Sequence, residues 1–169
     1  TPCSSNSVTN GVTGGVTSTV CICDLGFYDN SGTCTECAAD SYKDAAGDGA
    51  CTTCGANVHT EDATGATDAS TCVCAVGYFD DSGTCTECAA DSYKDAAGDE
   101  ACTSCGANTT TASLTGSTDE SACVCVAGFF DDSGTCTECA ADTYKCVASN
   151  GACPSCPLNS STNGATGST

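Results

Sequence analysis

Cys74-Ala-Val-Gly-Tyr-Phe-Asp-Asp-Ser-Gly-Thr-Cys85-Thr-Glu-Cys88 runs on through Cys102-Thr-Ser-Cys105 to Cys123-Val-Cys125, and this stretch decides the architecture. Shifted back by 51 residues it falls on Cys23, Cys34, Cys37, Cys51, Cys54, Cys72 and Cys74; shifted forward by 51 it falls on Cys125, Cys136, Cys139, Cys153 and Cys156. Ser31 to Asp48 and Ser82 to Asp99 are identical residue for residue. A fixed internal period marks a tandem array. The gap from Cys3 to Cys21 equals those from Cys54 to Cys72 and from Cys105 to Cys123. Residues 1–22 therefore read as the back half of a module. Residues 23–73 and 74–124 read as two full cysteine-rich repeats, and 125–169 as a truncated third. The next Cys-x-Cys of the register would fall at positions 174 and 176, past Thr169.

The 169 residues include 20 Cys, five Tyr and four Phe, with no Met and no Trp. That cysteine fraction exceeds the roughly 8–10% that marks a disulfide scaffold. So few large apolar groups cannot offset about 1–2 kcal/mol of backbone ordering per residue. Cross-links must supply the remainder, at about 2–4 kcal/mol per bridge. Such bonds persist in oxidising compartments, so an extracellular or cell-surface protein is expected. The formal net charge is −19, with 22 acids against Lys43, Lys94 and Lys145. Nucleic-acid binding needs a basic surface and is excluded by that sign. Adhesion to anionic lipid is disfavoured likewise, whereas a solvated, self-repelling coat or spacer fits. No run of about 18 apolar residues is present to span a membrane. Thr1 reads as a mature start with its leader removed, and any lipid-anchor signal would lie beyond Thr169.

Each module has two parts. The front is Cys-x-x-x-Gly-aromatic-aromatic-Asp-(Asp/Asn)-Ser-Gly-Thr-Cys. Its Asp-Ser-Gly run between two short extended runs predicts a tight turn and a small hairpin. The pairs Phe27/Tyr28, Tyr78/Phe79 and Phe129/Phe130 are expected to cover the hairpin's bridge or the joint to the next module. The second part is Ala/Asp/Gly/Thr-rich loop without helical periodicity, apart from a weak Ala-rich turn near Lys94 to Ala97. The fold class expected is a small disulfide-rich fold: an elongated tandem array of cysteine-rich modules with short β-hairpins and little helix.

All twenty cysteines are expected in disulfides: Cys3, Cys21, Cys23, Cys34, Cys37, Cys51, Cys54, Cys72, Cys74, Cys85, Cys88, Cys102, Cys105, Cys123, Cys125, Cys136, Cys139, Cys146, Cys153 and Cys156. Spacing does not fix connectivity. One scheme pairs Cys74 with Cys85, Cys37 with Cys54 and Cys51 with Cys72; the other pairs Cys37 with Cys51 and Cys54 with Cys72. Cys72 and Cys74, one residue apart, belong to different bridges and tie consecutive modules together. Cys3 and Cys21 have only each other. Cys146 stands where earlier modules carry Asp44 and Asp95. It reads as the substitute partner of Cys153 or Cys156 that closes the final module, which would make the two ends real chain ends. Cys34-x-x-Cys37 with Cys51-x-x-Cys54 also has a zinc-ribbon spacing. Two further cysteines per module and the secretory composition favour disulfides.

No catalytic, cofactor-binding or metal site is read. His59 occurs in one module, where Thr110 and Ser161 replace it in the others, so it reads as a solvated loop residue. Cys-x-x-Cys redox chemistry needs a βαβ frame that the pattern lacks. Asp80/Asp81, Asp131/Asp132, Asp44/Asp48 and Asp95/Asp99 do not form the calcium loop Asp-x-Asp-x-Asp-Gly with its closing Glu, and read as turn acids. Each lysine follows a Tyr and is expected to cover the ring and meet a neighbouring Asp. Asn108-Thr-Thr and Asn159-Ser-Ser are N-glycosylation sequons at one module position; Asn57-Val-His is not.

The frame Cys72-Val-Cys74-Ala-Val-Gly77-Tyr78-Phe79, Cys85-Thr-Glu-Cys88, Cys102-Thr-Ser-Cys105 and Thr115-Gly-Ser-Thr118 resembles the ephrin-receptor-like cysteine-rich repeat. In style it is related to EGF-like and tumour-necrosis-factor-receptor modules. The EGF-like order would imply the first scheme, with Cys74–Cys85 as the terminal bridge. A Pro after the second Cys is missing except at Cys153-Pro and Cys156-Pro. The near-identical copies, Ala/Thr/Gly bias and Cys-x-x-Cys rhythm also look like the surface immobilisation antigens of ciliates. Those are secreted, held by a glycosylphosphatidylinositol anchor, and form a dense coat.

The function expected is that of a non-enzymatic extracellular structural protein. It would be a disulfide-stapled, glycosylated rod in a cell-surface coat or extracellular fibre, with covalent glycans and head-to-tail or lateral self-association, and no cofactor. The competing reading is a ligand-binding cysteine-rich receptor ectodomain fragment. That reading needs one module with a distinct patch, and the modules look too alike to provide one.

Overall fold

A computed structural model of the chain describes residues 3–9 and 21–169. Of the expected half module, residues 1–2 and 10–20 lie outside them. The chain forms two compact units, Thr1–Ala75 and Val76–Thr169. Both are built from short antiparallel strand pairs, each a two-stranded sheet by itself. Helix among the described residues is confined to two 3-10 turns, Ala69–Thr71 and Glu120–Ala122, capped by Asp68 and Asp119. The fold is small, disulfide-rich and strand-dominated, as the composition requires.

The front part of each module is a hairpin. Phe27–Asn30 pairs with Thr33–Glu36, and Phe129–Asp132 with Thr135–Glu138, leaving a two-residue loop. Both loop residues have positive φ: Ser31 +57° and Gly32 +87°, and Ser133 +56° and Gly134 +88°. That is the turn whose twist matches a hairpin, and Ser-Gly reaches it with one non-glycine strain. An aspartate secures it: Asp29, Asp80 and Asp131 each accept the N–H of the loop glycine at 2.9 Å. These acids are the turn formers that the sequence indicates.

Two smaller pairings follow in each of the first two modules, while the third keeps a single β-bridge between Thr143 and Ser155. Ser41–Tyr42 pairs with Thr52–Thr53, and Ser92–Tyr93 with Thr103–Ser104. Val58–His59 then pairs with Val73–Cys74, and Thr109–Thr110 with Val124–Cys125. The segment near Lys94 to Ala97 is an irregular loop rather than a helical turn.

The core is sulfur. Among the described residues the buried hydrophobic ones are Ala66 and six cysteines: Cys23, Cys37, Cys74, Cys88, Cys125 and Cys139. Cys37–Cys51 and Cys54–Cys72 are bonded, and the pattern repeats as Cys88–Cys102, Cys105–Cys123 and Cys139–Cys153. Cys23–Cys34, Cys125–Cys136 and Cys3–Cys21 complete the pairs within the units. Cys74 and Cys85 are also disulfide-bonded. This is the second connectivity scheme. The EGF-like order, with Cys37–Cys54 and Cys51–Cys72, is not formed.

Cys146 does not close the final module. It is an exposed free thiol, and Cys156 is also free, which corrects the expectation that both are bridged. Cys153 bonds Cys139 as its counterparts Cys102 and Cys51 bond Cys88 and Cys37, so it needs no substitute. Cys156 occupies the place of Cys54 and Cys105, whose partners lie 18 residues onward, a register position past Thr169.

Candidate functional site

The lysines are the least expected feature. Lys43, Lys94 and Lys145 are only 8%, 6% and 5% exposed. The adjacent Asp44 and Asp95 do not pair with Lys43 and Lys94, and His59 pairs with Asp40. Each ammonium instead donates to backbone carbonyls. Lys94 Nζ reaches Ala96 O at 2.7 Å and Gly98 O at 2.6 Å. Lys43 Nζ donates to Ala45 O at 2.9 Å and to Gly47 O. Lys145 Nζ donates to Phe129 O at 2.6 Å and to Ser149 O. The irregular loop after the Tyr-Lys pair thus wraps around a charge that satisfies its carbonyls. Burial lowers the pKa of the Lys145 ammonium.

Lys94→Met keeps the length of the stem and removes the donor. It is expected to cost about 2 kcal/mol, since charge-assisted bonds are lost and two carbonyls are left wanting. Urea denaturation of the variant against the parent measures it.

The same loop is tied to the front hairpin. Gly26 N–H donates to Lys43 O and Lys43 N–H to Ala66 O, both at 2.9 Å. Gly26 and Gly65 then approach so closely that a Cβ on Gly26 would sit 2.3 Å from Gly65 O. Gly77 and Gly116 repeat this at 2.5 Å, and Gly128 and Gly167 at 2.4 Å. The carboxylate of the Cys-Thr-Glu-Cys run closes over it: Thr64 donates to Glu36 at 3.0 Å, Thr115 to Glu87 at 2.9 Å, and Thr166 to Glu138 at 2.6 Å.

A reciprocal Asp–Thr clamp holds the back of each module. Asp91 N–H donates to Thr111 Oγ1 at 2.9 Å, and Thr111 N–H to Asp91 Oδ1 at 3.1 Å; Thr111 Oγ1 donates onward to Leu114 O at 2.7 Å. Asp40–Thr60 and Asp142–Thr162 are built the same way. Thr111 is 1% exposed and is a structural residue that spacing alone does not reveal. The Thr60 N–H, and after it His59, holds the Asp40 carboxyl below the usual range. His59 Nδ1 lies 3.4 Å from Asp40 Oδ2, so the lone histidine serves the clamp. Asp68 and Asp119 are lowered too, by Ser70 and Ser121 at the 3-10 caps. Carboxyls lowered on folding stabilise the protein above their unfolded pKa, and that support is lost as pH falls through the folded value. Melting temperature is therefore expected to hold from neutrality down to about pH 4 and to fall below it, as followed by circular dichroism.

The aromatic pairs divide their work. Tyr78 donates its hydroxyl to Glu87 at 3.2 Å. Burial, and then the Glu87 charge, push its pKa up. Phe79 lines a hollow with Ser92, Cys102 and Cys105, and Phe130 one with Thr143 and Cys153. So in the second and third modules the second ring of the pair lies beside the next bridge of its own module.

The zinc spacing is accounted for: Cys34, Cys37, Cys51 and Cys54 are all in disulfides, and no thiolate is left to ligate. Among the described residues no group of three or more His, Cys, Asp or Glu is placed to hold a metal ion. The sequon residues Asn108 and Asn159 are both exposed on left-handed turns, with φ +59° and +66°. Within the second unit a cleft of about 600 Å³ opens between consecutive modules, lined by Tyr93, Thr109 and Glu120 on one side and Asp131, Gly134 and Asn150 on the other.

The comparisons with known proteins agree with this construction. The chain matches the family described as tyrosine-protein kinase ephrin type A/B receptor-like over residues 26–72, 77–123 and 128–169. Every match opens on the glycine of the close approach, Gly26, Gly77 or Gly128. The chain is also 34% identical, over 138 residues, to the mouse (Mus musculus) protein named Sushi, von Willebrand factor type A, EGF and pentraxin domain-containing protein 1. That stretch covers 77% of this chain and 4% of the mouse protein. The modules are thus cysteine-rich repeats of extracellular type, like those of receptor and multidomain surface proteins. No helix among the described residues is long and apolar enough to cross a membrane. With the same glycine contact, buried lysine and bridge pattern recurring in three matched segments, the chain belongs to the ephrin type A/B receptor-like family of cysteine-rich repeats.

Proposed function

We propose that this chain is a non-enzymatic structural segment of a cell-surface coat or extracellular fibre. In this reading it is stiffened by its disulfides and N-glycosylated at Asn108 and Asn159. The observation that carries the reading is where the charges go. All three lysines are turned inward onto backbone carbonyls, while the acids remain outside on a chain of net charge −19. Such a surface is hydrated and resists non-specific adhesion. The near-identical copies and hydroxyl-rich loops, shared in style with ciliate immobilisation antigens, support a repetitive coat.

Self-association, head to tail or lateral, completes the proposal. Because like charges oppose it, association should strengthen as salt screens them. Sedimentation velocity across a salt series, with electron microscopy, is the test; a monomer at every salt and no fibres would count against it. Intact-mass measurement on protein from a glycosylating host should show two glycan increments. One should be lost in Asn108→Gln and the other in Asn159→Gln.

The competing receptor-ectodomain reading gains one specific observation, the cleft between the second and third modules, two of whose lining residues, Thr109 and Glu120, are not repeated one module earlier. Val58 and Ala69 stand at the positions of Thr109 and Glu120.

A further inference from the structure

The inter-module cleft of the second unit has the volume of a ligand site, about 600 Å³, within the usual range of roughly 300–1,000 Å³. Its chemistry is one-sided. Glu120 comes from the 3-10 turn of one module and Asp131 from the hairpin of the next, so two carboxylates face one space from separate walls. Asp131 uses Oδ1 on the Gly134 N–H, and Glu120 makes no ion pair among the described residues. Tyr93 supplies an aromatic ring between strand and cleft. Its phenol is kept neutral, because burial and the charges of Glu120, Asp95 and Asp119 push its pKa up.

No lysine of the chain is available to neutralise these groups. Lys94 and Lys145, the two in this unit, are spent on backbone carbonyls of their own modules. A metal ion is a poor occupant, since no group of three or more ligating side chains is assembled here. An organic cation suits the cleft better: a planar guanidinium can stack on a ring while it donates to carboxylates. We propose that this cleft binds an arginine side chain carried on an exposed basic segment of a partner protein. Recognition would belong to this joint, because Glu120 and Thr109 have no acidic or hydroxyl counterpart at Ala69 and Val58.

The test uses the whole chain, isotope-labelled, and the peptide acetyl-Gly-Arg-Gly-amide at about 0.15 M NaCl, where diffuse attraction is screened within about 8 Å. Its citrulline counterpart, equal in size and uncharged, is titrated in parallel. Saturable amide shifts are expected at Tyr93, Thr109, Glu120 and Asp131 with the arginine peptide and not with citrulline. Glu120→Gln should weaken binding by about fivefold or more, and Glu120→Gln with Asp131→Asn further. Glu100→Gln, an exposed acid outside the cleft, should change it by less than about twofold. Among the described residues Glu120 makes no ion pair, so an unchanged spectrum elsewhere should confirm that its variant is folded. The proposal is overturned if the shifts scatter over the acidic surface, if Glu100→Gln weakens binding as much as Glu120→Gln, if citrulline binds equally, or if nothing saturates.

Discussion

Gly77→Ala is expected to destabilise the second module by about 3–5 kcal/mol. Two effects add. Gly77 has φ +78°, where an L side chain costs about 1–2 kcal/mol. A Cβ there would also lie 2.5 Å from Gly116 O, a backbone atom whose residue is held in place by its own N–H bond to Cys88 O. Gly116 N–H donates to Cys88 O at 2.8 Å and Gly77 N–H to Lys94 O at 2.9 Å, so neither strand can withdraw without losing a bond. Gly83 provides the control. Its φ is +87°, yet nothing lies within 4 Å of a Cβ built on it. Gly83→Ala should therefore cost only the conformational part, about 1–2 kcal/mol. Hydrogen exchange at Cys88 and Gly116, together with urea midpoints for both variants, separates the two effects. Equal losses at the two sites would refute the close-approach argument.

The other large effect is expected from the double substitution Cys88→Ser with Cys102→Ser. The bridge closes a loop of 14 residues, and its loss should cost about 2–5 kcal/mol. Cys88 is wholly buried and its peptide accepts the Gly116 N–H, so the change also leaves a polar hydroxyl in the sulfur core. Replacing the pair by Ala removes that second penalty and should recover part of the loss. Mild reduction of the parent should carry the same signature further, with near-ultraviolet circular dichroism collapsing as the bridges open. A molecule that keeps its melting temperature after full reduction would contradict a core made of cystine.

The repeat, the Ser-Gly hairpin and the dominance of cross-links are all legible in the sequence because they are periodic or local. Connectivity is not, and the reason lies in long-range ties. Cys54 N–H bonds Asp40 O at 2.9 Å, and Asp40 is clamped to Thr60. Thr60 follows the strand Val58–His59, whose partner Val73–Cys74 directly follows Cys72. Cys54 is thereby delivered to Cys72, and Cys51, on the other side of Thr52–Thr53, is left for Cys37. An Asp and a Thr twenty residues apart carry no visible signal of this. The lysines show the same limit. The adjacency Lys43-Asp44 invites an ion pair, but what receives the charge is a set of carbonyls, and carbonyls are present in every sequence. Cys146 shows a different one. Counting assigns a cysteine in an unusual place a partner, whereas the structure keeps the register of Cys139–Cys153 and leaves Cys146 bare. The cleft beside Glu120 is hidden for a further reason: Thr109 and Glu120 are two changes within a largely repeated lining, and spacing does not show that they share one space with Asp131 of the next module.

The inward lysines have a practical corollary. The chain contains no arginine, and its three lysines are all enclosed, so trypsin meets no accessible cleavage point among them while the fold is intact. Amine-directed reagents are turned away from the same side chains. Digestion and labelling begin when the bridges are opened, which makes both a direct gauge of how many modules in a preparation are correctly cross-linked.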